Sequence, residues 1–272
     1  MIIEELKHKD RRIVYLKNKL NKGAFYSRNK GILNAKGEYI LIVDPDDLLI
    51  NNILVKAYNT AKKNNLDILQ FYILKGYYES PKLWKEFKFN QETLKNNNEI
   101  RYYFYYHGSR NLWDKIVRKN IFIKSINFMD KIFYNQIYYI NNDDTAFFGL
   151  IHVANTYGFL EEIGYFYIKR PKGAYYYRHD PKNMNLIFLS IFNNMKYFYF
   201  QSDNNTLEKN NFAYKYFFSK TKIFEKYLSN VTNGFDYFLD ILNIYINSTY
   251  FTGFQKKYIN KFKLRVIDIK KK

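Results

Sequence analysis

The sequence GEYILIVDPDDLL, residues 37–49, runs from an apolar segment directly into three carboxylates placed around a proline. Its apolar part, YILIV at 39–43, is typical of a strand buried on both faces in a mainly parallel sheet. Apolar residues then repeat at helical spacing over 53–61, and LDILQFYIL at 66–74 indicates another strand. We therefore expect a right-handed strand-helix-strand unit whose first strand ends at the acidic cluster.

The pattern of apolar residues along the chain changes near residue 180. Before that point, short apolar runs alternate with helical patterns, and RIVYL at 12–16 indicates a strand, which together predict an α/β domain over residues 1–178. Beyond it, apolar residues recur at helical spacing, which predicts an α-helical C-terminal extension over residues 179–272. With 272 residues, of which 47% are hydrophobic, the chain can form a sizeable core.

The chain is strongly basic and contains no cysteine. Its 44 Lys and Arg residues against 25 Asp and Glu give a net charge of +19, which attracts phosphates, nucleic acid or an anionic membrane surface. The Lys excess comes with excess Asn, Ile, Tyr and Phe, as in AT-rich coding sequence, so nucleic-acid binding is not favoured. The absence of cysteine excludes disulfides and thiolate metal sites. No signal peptide or run of ~18 apolar residues is found, which favours a cytoplasmic or membrane-peripheral location.

Two interpretations of the acidic cluster are open. Asp44, Asp46 and Asp47 repel one another unless a cation offsets their charge, and their hard oxygen ligands suit Mg²⁺ or Mn²⁺ bridging to the phosphates of a substrate. Alternatively, the segment forms a turn and caps the following helix, because Asp and Pro favour both positions.

The residues before the acidic cluster belong to a longer sequence pattern that ends in this cluster. Residues 21–49 read NKGAFYSRNKGILNAKGEYILIVDPDDLL, which resembles the family 2 glycosyltransferases of the glycosyltransferase A fold. That family's pattern runs Asn-x-Gly, Arg-Asn-x-Gly, Ala-x-Gly-Glu-Tyr, an apolar strand and Asp-x-Asp-Asp. The matching positions are Asn21, Gly23, Arg28, Asn29, Gly31, Ala35, Gly37, Glu38, Tyr39, Asp44, Asp46 and Asp47.

The resemblance implies roles for individual residues in donor binding. It places Asp44 against the donor's ribose or its metal, and Asp46 at the metal, which would be Mn²⁺ or Mg²⁺. It places the segment of Arg28 and Asn29 on the nucleotide side of the cleft, although a solvated helix charge is the simpler interpretation of Arg28. The donor-binding residues that it implies are Asn21, Gly23, Arg28, Asn29 and Asp44.

A second acidic pair occurs in NNDDTAFFGLIHVA, residues 141–154. This segment resembles the family's Glu-Asp motif, with Asp143 in the Glu position and Asp144 in the position of the catalytic base. An inverting transfer needs one carboxylate that takes the proton of the acceptor hydroxyl while that oxygen attacks the anomeric carbon. The structural alternative is capping and favourable dipole interaction at a helix N-terminus, and both roles are compatible.

Two further segments carry weaker resemblance. NLWDKIVRKNIF at 111–122 resembles the family's segment with Trp and Lys before a basic helix, which implies that Trp113 lies near the acceptor, where an indole packs on a sugar ring. A core tryptophan is the alternative. In EEIGYFYIKRPKGAYYYR at 161–178, Lys169, Arg170 and Lys172 could reach a leaving diphosphate, or they belong to a solvated loop.

The family's first strands, which hold the base of the donor, have no counterpart before Met1. We therefore interpret residues 1–178 as a partial glycosyltransferase catalytic domain that lacks the N-terminal nucleotide-binding strands. A strand as apolar as residues 39–43 needs neighbours, so we expect residues 1–272 alone to be unstable or prone to aggregation and to lack turnover.

The resulting hypothesis is a metal-dependent, inverting glycosyltransferase. Its donor would be a nucleotide-sugar, with a UDP-sugar favoured, and its acceptor a glycan, a lipid-linked molecule or a protein. A non-catalytic sugar- or nucleotide-binding remnant and a basic module for membranes or nucleic acid are the alternatives. The tail FQKKYINKFKLRVIDIKKK, 254–272, mixes basic and apolar residues, so it either lies on an anionic membrane or forms a solvated basic helix.

Overall fold

A computed structural model describes residues 2–50, 52–84, 93–106, 109–133, 142–170, 235–247 and 253–271. These residues form eight helices and seven strands. The helices are α1 (Ile2–Lys9), α2 (Gly23–Asn34), α3 (Ile53–Lys63), α4 (Asn97–Tyr106), α5 (Lys119–Phe133), α6 (Asn142–Val153), α7 (Phe235–Asn247) and α8 (Gly253–Lys270). The strands are β1 (Tyr39–Leu41), β2 (Leu48–Leu49), β3 (Ile68–Tyr77), β4 (Ser80–Trp84), β5 (Thr93–Leu94), β6 (Lys115–Arg118) and β7 (Tyr157–Ile168).

The seven strands form one sheet in the order β1-β6-β3-β7-β2, with β4 beside β3 and β5 beside β7. Only the long β3–β7 pairing is parallel, and the five other pairings are antiparallel. The predicted α/β class is confirmed, but a mainly parallel sheet is wrong for the described strands. Because β1 and β3 are both antiparallel to β6, they run in the same direction with β6 between them.

The predicted strand-helix-strand unit is present as β1, α3 and β3. Its first strand is shorter than predicted, since β1 ends at Leu41. Residues 12–16 are not a strand, because no described strand lies beside them to supply hydrogen bonds. The chain forms a turn at residues 10–13 instead. Arg12 pairs with Asp10, and the Ile13 N–H donates to the Asp10 carbonyl at 3.1 Å.

Both faces of the sheet carry a hydrophobic cluster, as the apolar character of residues 39–43 predicts. Ile40 packs toward a cluster built with α2, α4, α5 and α6, whereas Tyr39 and Leu41 pack toward a cluster built with α3. β3 divides in the same way, with Ile68 in the first cluster and Leu69 in the second. The turn after β1 is therefore anchored from both sides of the sheet.

The predicted C-terminal helices are present where the structure describes that region. In α8, Ile259, Phe262 and Val266 are buried at 0%, 3% and 0% exposure, and α7 and α8 pack against each other. Three apolar residues of the tail are thus turned inward, whereas Leu264 is 54% exposed. The helical pattern over residues 180–234 lies outside the described residues. None of the described helices has the length and apolar character needed to cross a membrane.

Substitution of Gly149 tests the close packing of α6 on α5. An added Cβ would overlap Ser125 Oγ and Met129 Sδ on α5. We therefore expect Gly149→Ala to lower the free energy of unfolding by about 1–3 kcal/mol. The matched control is Gly31→Ala in α2, where an added Cβ meets nothing within 4 Å and where we expect a gain of about 0.5–1 kcal/mol. Urea unfolding measures both, and equal stabilities would contradict the tight α5–α6 contact.

Candidate active site

The acidic cluster forms a turn between β1 and β2. The Asp47 N–H donates to the Asp44 carbonyl at 3.2 Å, which closes the turn around Pro45. The following helix α3 has Asn52, not one of these acids, at its N-cap. The sequence allowed the interpretation that the cluster forms a turn and caps the following helix. The predicted turn is confirmed, and the predicted helix cap is wrong.

Arg28 on α2 joins two acidic groups that are far apart in the sequence. Its Nη2 donates to Asp44 Oδ1 at 2.7 Å, and its Nη1 donates to Asp143 Oδ1 at 2.5 Å. The side chains of Arg28, Asp44 and Asp143 are 18%, 27% and 22% exposed. The interpretation of Arg28 as a solvated helix charge is therefore wrong, and Asp44 and Asp143 are brought together through one guanidinium.

Arg28, Asp44 and Asp143 are called the Arg28 triad below. The electrostatics of this triad favour the charged state of Arg28. Burial opposes a charged guanidinium, but the carboxylates of Asp143 and Asp44 outweigh it and raise the pKa of Arg28. Without Arg28, two partly buried carboxylates would lose the positive charge between them. The triad is therefore an electrostatic connection between α2, the turn after β1 and α6.

Asp144 lies beside Asp143 in the first turn of α6. Its Oδ1 is 3.8 Å from Arg110 Nη1, and its side chain is 16% exposed. A helix N-terminus favours negative charge, so both acids of this pair are placed where their ionised form is stabilised. The predicted helix start at the acidic pair is confirmed, and the role of Asp144 as a base stays a prediction.

Asp47 is bonded within the protein. Its Oδ2 accepts a hydrogen bond from the Tyr165 hydroxyl at 2.8 Å, and its Oδ1 accepts one from the Ile168 N–H at 2.9 Å. Burial raises the pKa of Asp47, although both hydrogen bonds act in the opposite direction. Asp47 thereby fastens the acidic turn to the end of β7.

Asp46 is the most exposed acid of the turn, with 51% of its side chain accessible. Arg170 lies next to it: its Nε is 3.9 Å from Asp46 Oδ2, and its Nη2 donates to the Asp46 carbonyl at 2.7 Å. One of the basic residues predicted near a leaving diphosphate is thus adjacent to the predicted metal ligand. Lys172, predicted with it, lies outside the described residues.

Trp113 lies in the core, as the simpler interpretation of this residue predicts. It is 5% exposed and stacks with Tyr165 and Tyr167 at centroid distances of 4.9 and 5.5 Å. A buried polar network follows it, in which Asp114 accepts hydrogen bonds from Lys115 and from Gln70 Nε2. The loop that carries Arg110 and Trp113 is therefore firmly anchored. Contact of Trp113 with an acceptor stays a prediction.

The other predicted donor residues lie at the start of α2, where Asn21 and Gly23 are found, and in its middle, where Asn29 is found. Asn21 Oδ1 accepts a hydrogen bond from the Gly23 N–H at 3.0 Å, and Gly23 has a φ of 78°, which glycine adopts without strain. Asn29, beside Arg28, lines a cavity of roughly 210 Å³ whose other walls include Phe122 and Met129 of α5. The donor contacts of Asn21, Gly23 and Asn29 stay predictions.

A metal ion needs more ligands than this turn supplies. Among the described residues, no group of three or more His, Cys, Asp or Glu side chains is arranged to hold a metal. Asp44 is engaged by Arg28, and Asp47 is engaged by Tyr165 and Ile168. Asp46 and Asp44 therefore fit Mg²⁺ or Mn²⁺ only where phosphate oxygens of a substrate and water complete the coordination.

Two residues near the acids were not predicted from the sequence. Tyr165 is one of many aromatic residues in a strand, and Arg110 is one of 44 basic residues, so neither type stands out. Both reach the site through contacts with distant segments. A pattern of neighbouring residues therefore gives no signal for either of them.

Comparison with known proteins identifies relatives of the N-terminal half. Residues 1–126 match the family described as Glycosyl transferase family 2. An uncharacterized glycosyltransferase of Methanocaldococcus jannaschii is 35% identical over 126 residues, which cover 43% of this chain and 41% of that protein. The cholesterol galactosyltransferase of Borreliella burgdorferi is 31% identical over 139 residues, which cover 43% of this chain and 37% of that protein. The chain thus spans about two fifths of the length of these curated relatives.

Solved structures show the same fold. Staphylococcus aureus TarS matches with a TM-score of 0.64 at 16% identity, over 99% of this chain and 45% of that chain. A TarS fragment in complex with UDP-GlcNAc matches with a TM-score of 0.62 at 17% identity, over 99% of this chain and 76% of the fragment. The predicted resemblance to a glycosyltransferase fold is confirmed.

Substitution of Arg28 tests the connection between the two acidic groups. Arg28→Gln leaves the carboxylates of Asp44 and Asp143 without their shared cation, so we expect the free energy of unfolding to fall by about 1–3 kcal/mol. Arg12→Gln is the matched control, because Arg12 is 91% exposed in its pair with Asp10 and we expect no measurable change. If urea unfolding gives the same result for both variants, the triad contributes no more than an exposed ion pair.

Proposed function

We propose that the chain transfers a sugar from a nucleotide-sugar to the hydroxyl of an acceptor, because residues 1–126 match the family described as Glycosyl transferase family 2. The observation that carries the proposal is the Arg28 triad. It brings Asp44, which the family pattern assigns to the donor, next to Asp143, which the family pattern assigns to the acidic pair that includes the base.

The proposed base is Asp144. In an inverting transfer, its carboxylate takes the proton of the acceptor hydroxyl while that oxygen attacks the anomeric carbon. The bond from that carbon to the nucleoside diphosphate breaks on the opposite side, and the diphosphate leaves with the bonding electrons. Arg110, at 3.8 Å from Asp144 Oδ1, supports the ionised form that a base requires.

The proposed donor is a UDP-sugar. TarS, whose fold this chain shares, has been solved in complex with UDP-GlcNAc and with UDP. The net charge of +19 favours an anionic substrate. Arg170, beside the exposed Asp46, is placed to stabilise the negative charge of a departing diphosphate.

A divalent cation is part of the proposal. Asp46 and Asp44 would hold Mg²⁺ or Mn²⁺ together with phosphate oxygens of the donor. When bound, the cation would neutralise charge on the diphosphate and so make it a better leaving group. Asp46 is better suited than Asp44 to bind the cation, because the side chain of Asp46 is accessible and Asp44 is already bonded to Arg28.

The acceptor is proposed only by class, as a glycan, a lipid-linked molecule or a protein. One relative is named as a cholesterol galactosyltransferase, which supports a lipid among the candidates. An anionic membrane as partner would meet the basic residues of α8 and the exposed Leu264, because the apolar residues Ile259, Phe262 and Val266 are buried.

Binding of a nucleotide-sugar without turnover is the second candidate function. It is favoured by the engagement of Asp44 with Arg28, which withholds one carboxylate oxygen from a metal. Calorimetry with UDP and UDP-GlcNAc, combined with an assay of UDP release in the presence of candidate acceptors, separates the two functions. Binding with release supports the transferase, binding without release supports the second candidate, and absence of both contradicts the proposal.

Asp144→Asn tests the assignment of the base. An amide cannot take up the acceptor's proton, so we expect transfer to fall by about 10²–10⁴-fold while donor affinity is retained. Asp10→Asn, at an exposed carboxylate, is the control and should transfer at the wild-type rate. Near-normal transfer by Asp144→Asn would move the base elsewhere, and Asp143→Asn would then be measured next.

Asp46→Asn tests the metal assignment. An amide is a weaker ligand for a hard cation and offsets none of its charge, so we expect the Mn²⁺-dependent part of UDP-sugar binding to be lost. Calorimetry with and without Mn²⁺ measures this difference directly. Affinity that is unchanged in both conditions would contradict a role for Asp46 at the metal.

A further inference from the structure

The Tyr165 hydroxyl connects the two ends of the acidic turn. Tyr165 is 0% exposed, and its oxygen accepts a hydrogen bond from the Asp44 N–H at 3.1 Å. The same hydroxyl donates its proton to Asp47 Oδ2 at 2.8 Å. A single buried group therefore bonds the first and the last residue of the turn that carries Asp46.

The turn is fastened to β7 beyond this hydroxyl. Asp47 Oδ1 accepts the Ile168 N–H at 2.9 Å, and the Ile50 N–H donates to the Gly164 carbonyl at 3.0 Å. Strand β2, which starts directly after the turn, pairs with β7 through Leu49 and Tyr165. Tyr165 thus lies at the centre of the contacts between the acidic turn and the sheet.

The ring of Tyr165 is held by Trp113. The two rings are stacked with an interplanar angle of 22° and a centroid distance of 4.9 Å. Burial raises the pKa of the Tyr165 phenol, so the hydroxyl keeps the proton that it donates to Asp47. Trp113 therefore supports the turn from behind, through the ring of Tyr165.

We propose that Tyr165 is a positioning residue for the nucleotide-sugar donor, acting through the turn of Asp44 to Asp47. This inference rests on the proposed function, because it takes Asp44 and Asp46 as the donor's partners. It divides the acids of the turn: Asp47 is the internal acceptor that holds the turn in place, Asp44 is bonded to Arg28, and Asp46 is exposed. A catalytic turn loses efficiency when its backbone is misplaced by as little as an ångström.

Tyr165→Phe is the direct test, with Tyr39→Phe as the matched control. Tyr39 also has a hydroxyl in a part-buried hydrogen bond, which it donates to the Leu66 carbonyl at 2.7 Å, but it lies at the start of β1 and has no hydrogen bond to the turn among those described. We expect both variants to melt at lower temperature. Only Tyr165→Phe should bind UDP-GlcNAc about 10-fold more weakly and raise the KM for the donor more than it lowers kcat.

Amide hydrogen exchange over residues 44–50 separates this inference from the proposed function. We expect Tyr165→Phe to speed exchange in this segment and Tyr39→Phe to leave it unchanged, whether or not a donor binds. If the wild-type chain binds no UDP-sugar, the proposed function fails, and unchanged exchange in Tyr165→Phe overturns the positioning role. Equal donor affinity of wild type and Tyr165→Phe also overturns it.

Asp47→Asn gives a second route if Tyr165→Phe does not fold. The amide keeps the shape of the side chain but has one acceptor oxygen for two donors, so its NH₂ group faces either the Tyr165 hydroxyl or the Ile168 N–H. We expect faster exchange over residues 44–50 and a loss of UDP-GlcNAc affinity similar to that of Tyr165→Phe, about 10-fold. Unchanged exchange and affinity in Asp47→Asn would contradict the proposal.

Discussion

One guanidinium holds the candidate site together. Arg28 has carboxylates on two sides, one from the turn after β1 and one from the first turn of α6, and its side chain is 18% exposed. Two partly buried acids in this position repel each other and lose hydration, and a shared cation with two short hydrogen bonds offsets both costs. The placement of α6 relative to the acidic turn therefore depends on Arg28.

The three acids of the turn serve different physical purposes, which explains why a buried strand can end in concentrated negative charge. Asp47 is satisfied inside the protein by Tyr165 and Ile168. Asp44 is neutralised by Arg28. Asp46 is the acid that faces solvent, next to Arg170, and it remains accessible to the proposed nucleotide-sugar and cation.

Local patterns predicted the elements, while distant contacts decided how they are arranged. The helical spacing of residues 53–61 and the apolar run at 39–43 lie within single elements, so α3 and β1 could be predicted. The insertion of β6 between β1 and β3 depends on pairing across 75–79 residues of sequence with β1 and across 45–49 residues with β3, and it leaves no periodic signal. RIVYL at 12–16 has the composition of a strand but lacks a described neighbour to pair with.

The residues of the candidate site also differ in whether the sequence could predict them. Arg28 and Asp44 could be predicted from one family pattern over residues 21–49, and Asp143 from a second motif in which it takes the position of a Glu. Tyr165 and Arg110 could not, since their roles come from contacts with residues more than 30 positions away. Glu38 and Tyr39, which belong to the same pattern, bond to Lys62 and to the Leu66 carbonyl, so part of the pattern maintains the fold rather than the site.

A crystal structure of the chain with UDP and Mn²⁺ would test the arrangement of this site. We expect the diphosphate to lie beside Asp46 and Arg170, with Arg28 still bonded to Asp143 and with the turn still fastened by Tyr165. Binding of UDP at another place on the chain, or an Arg28 side chain that has left Asp143, would contradict it.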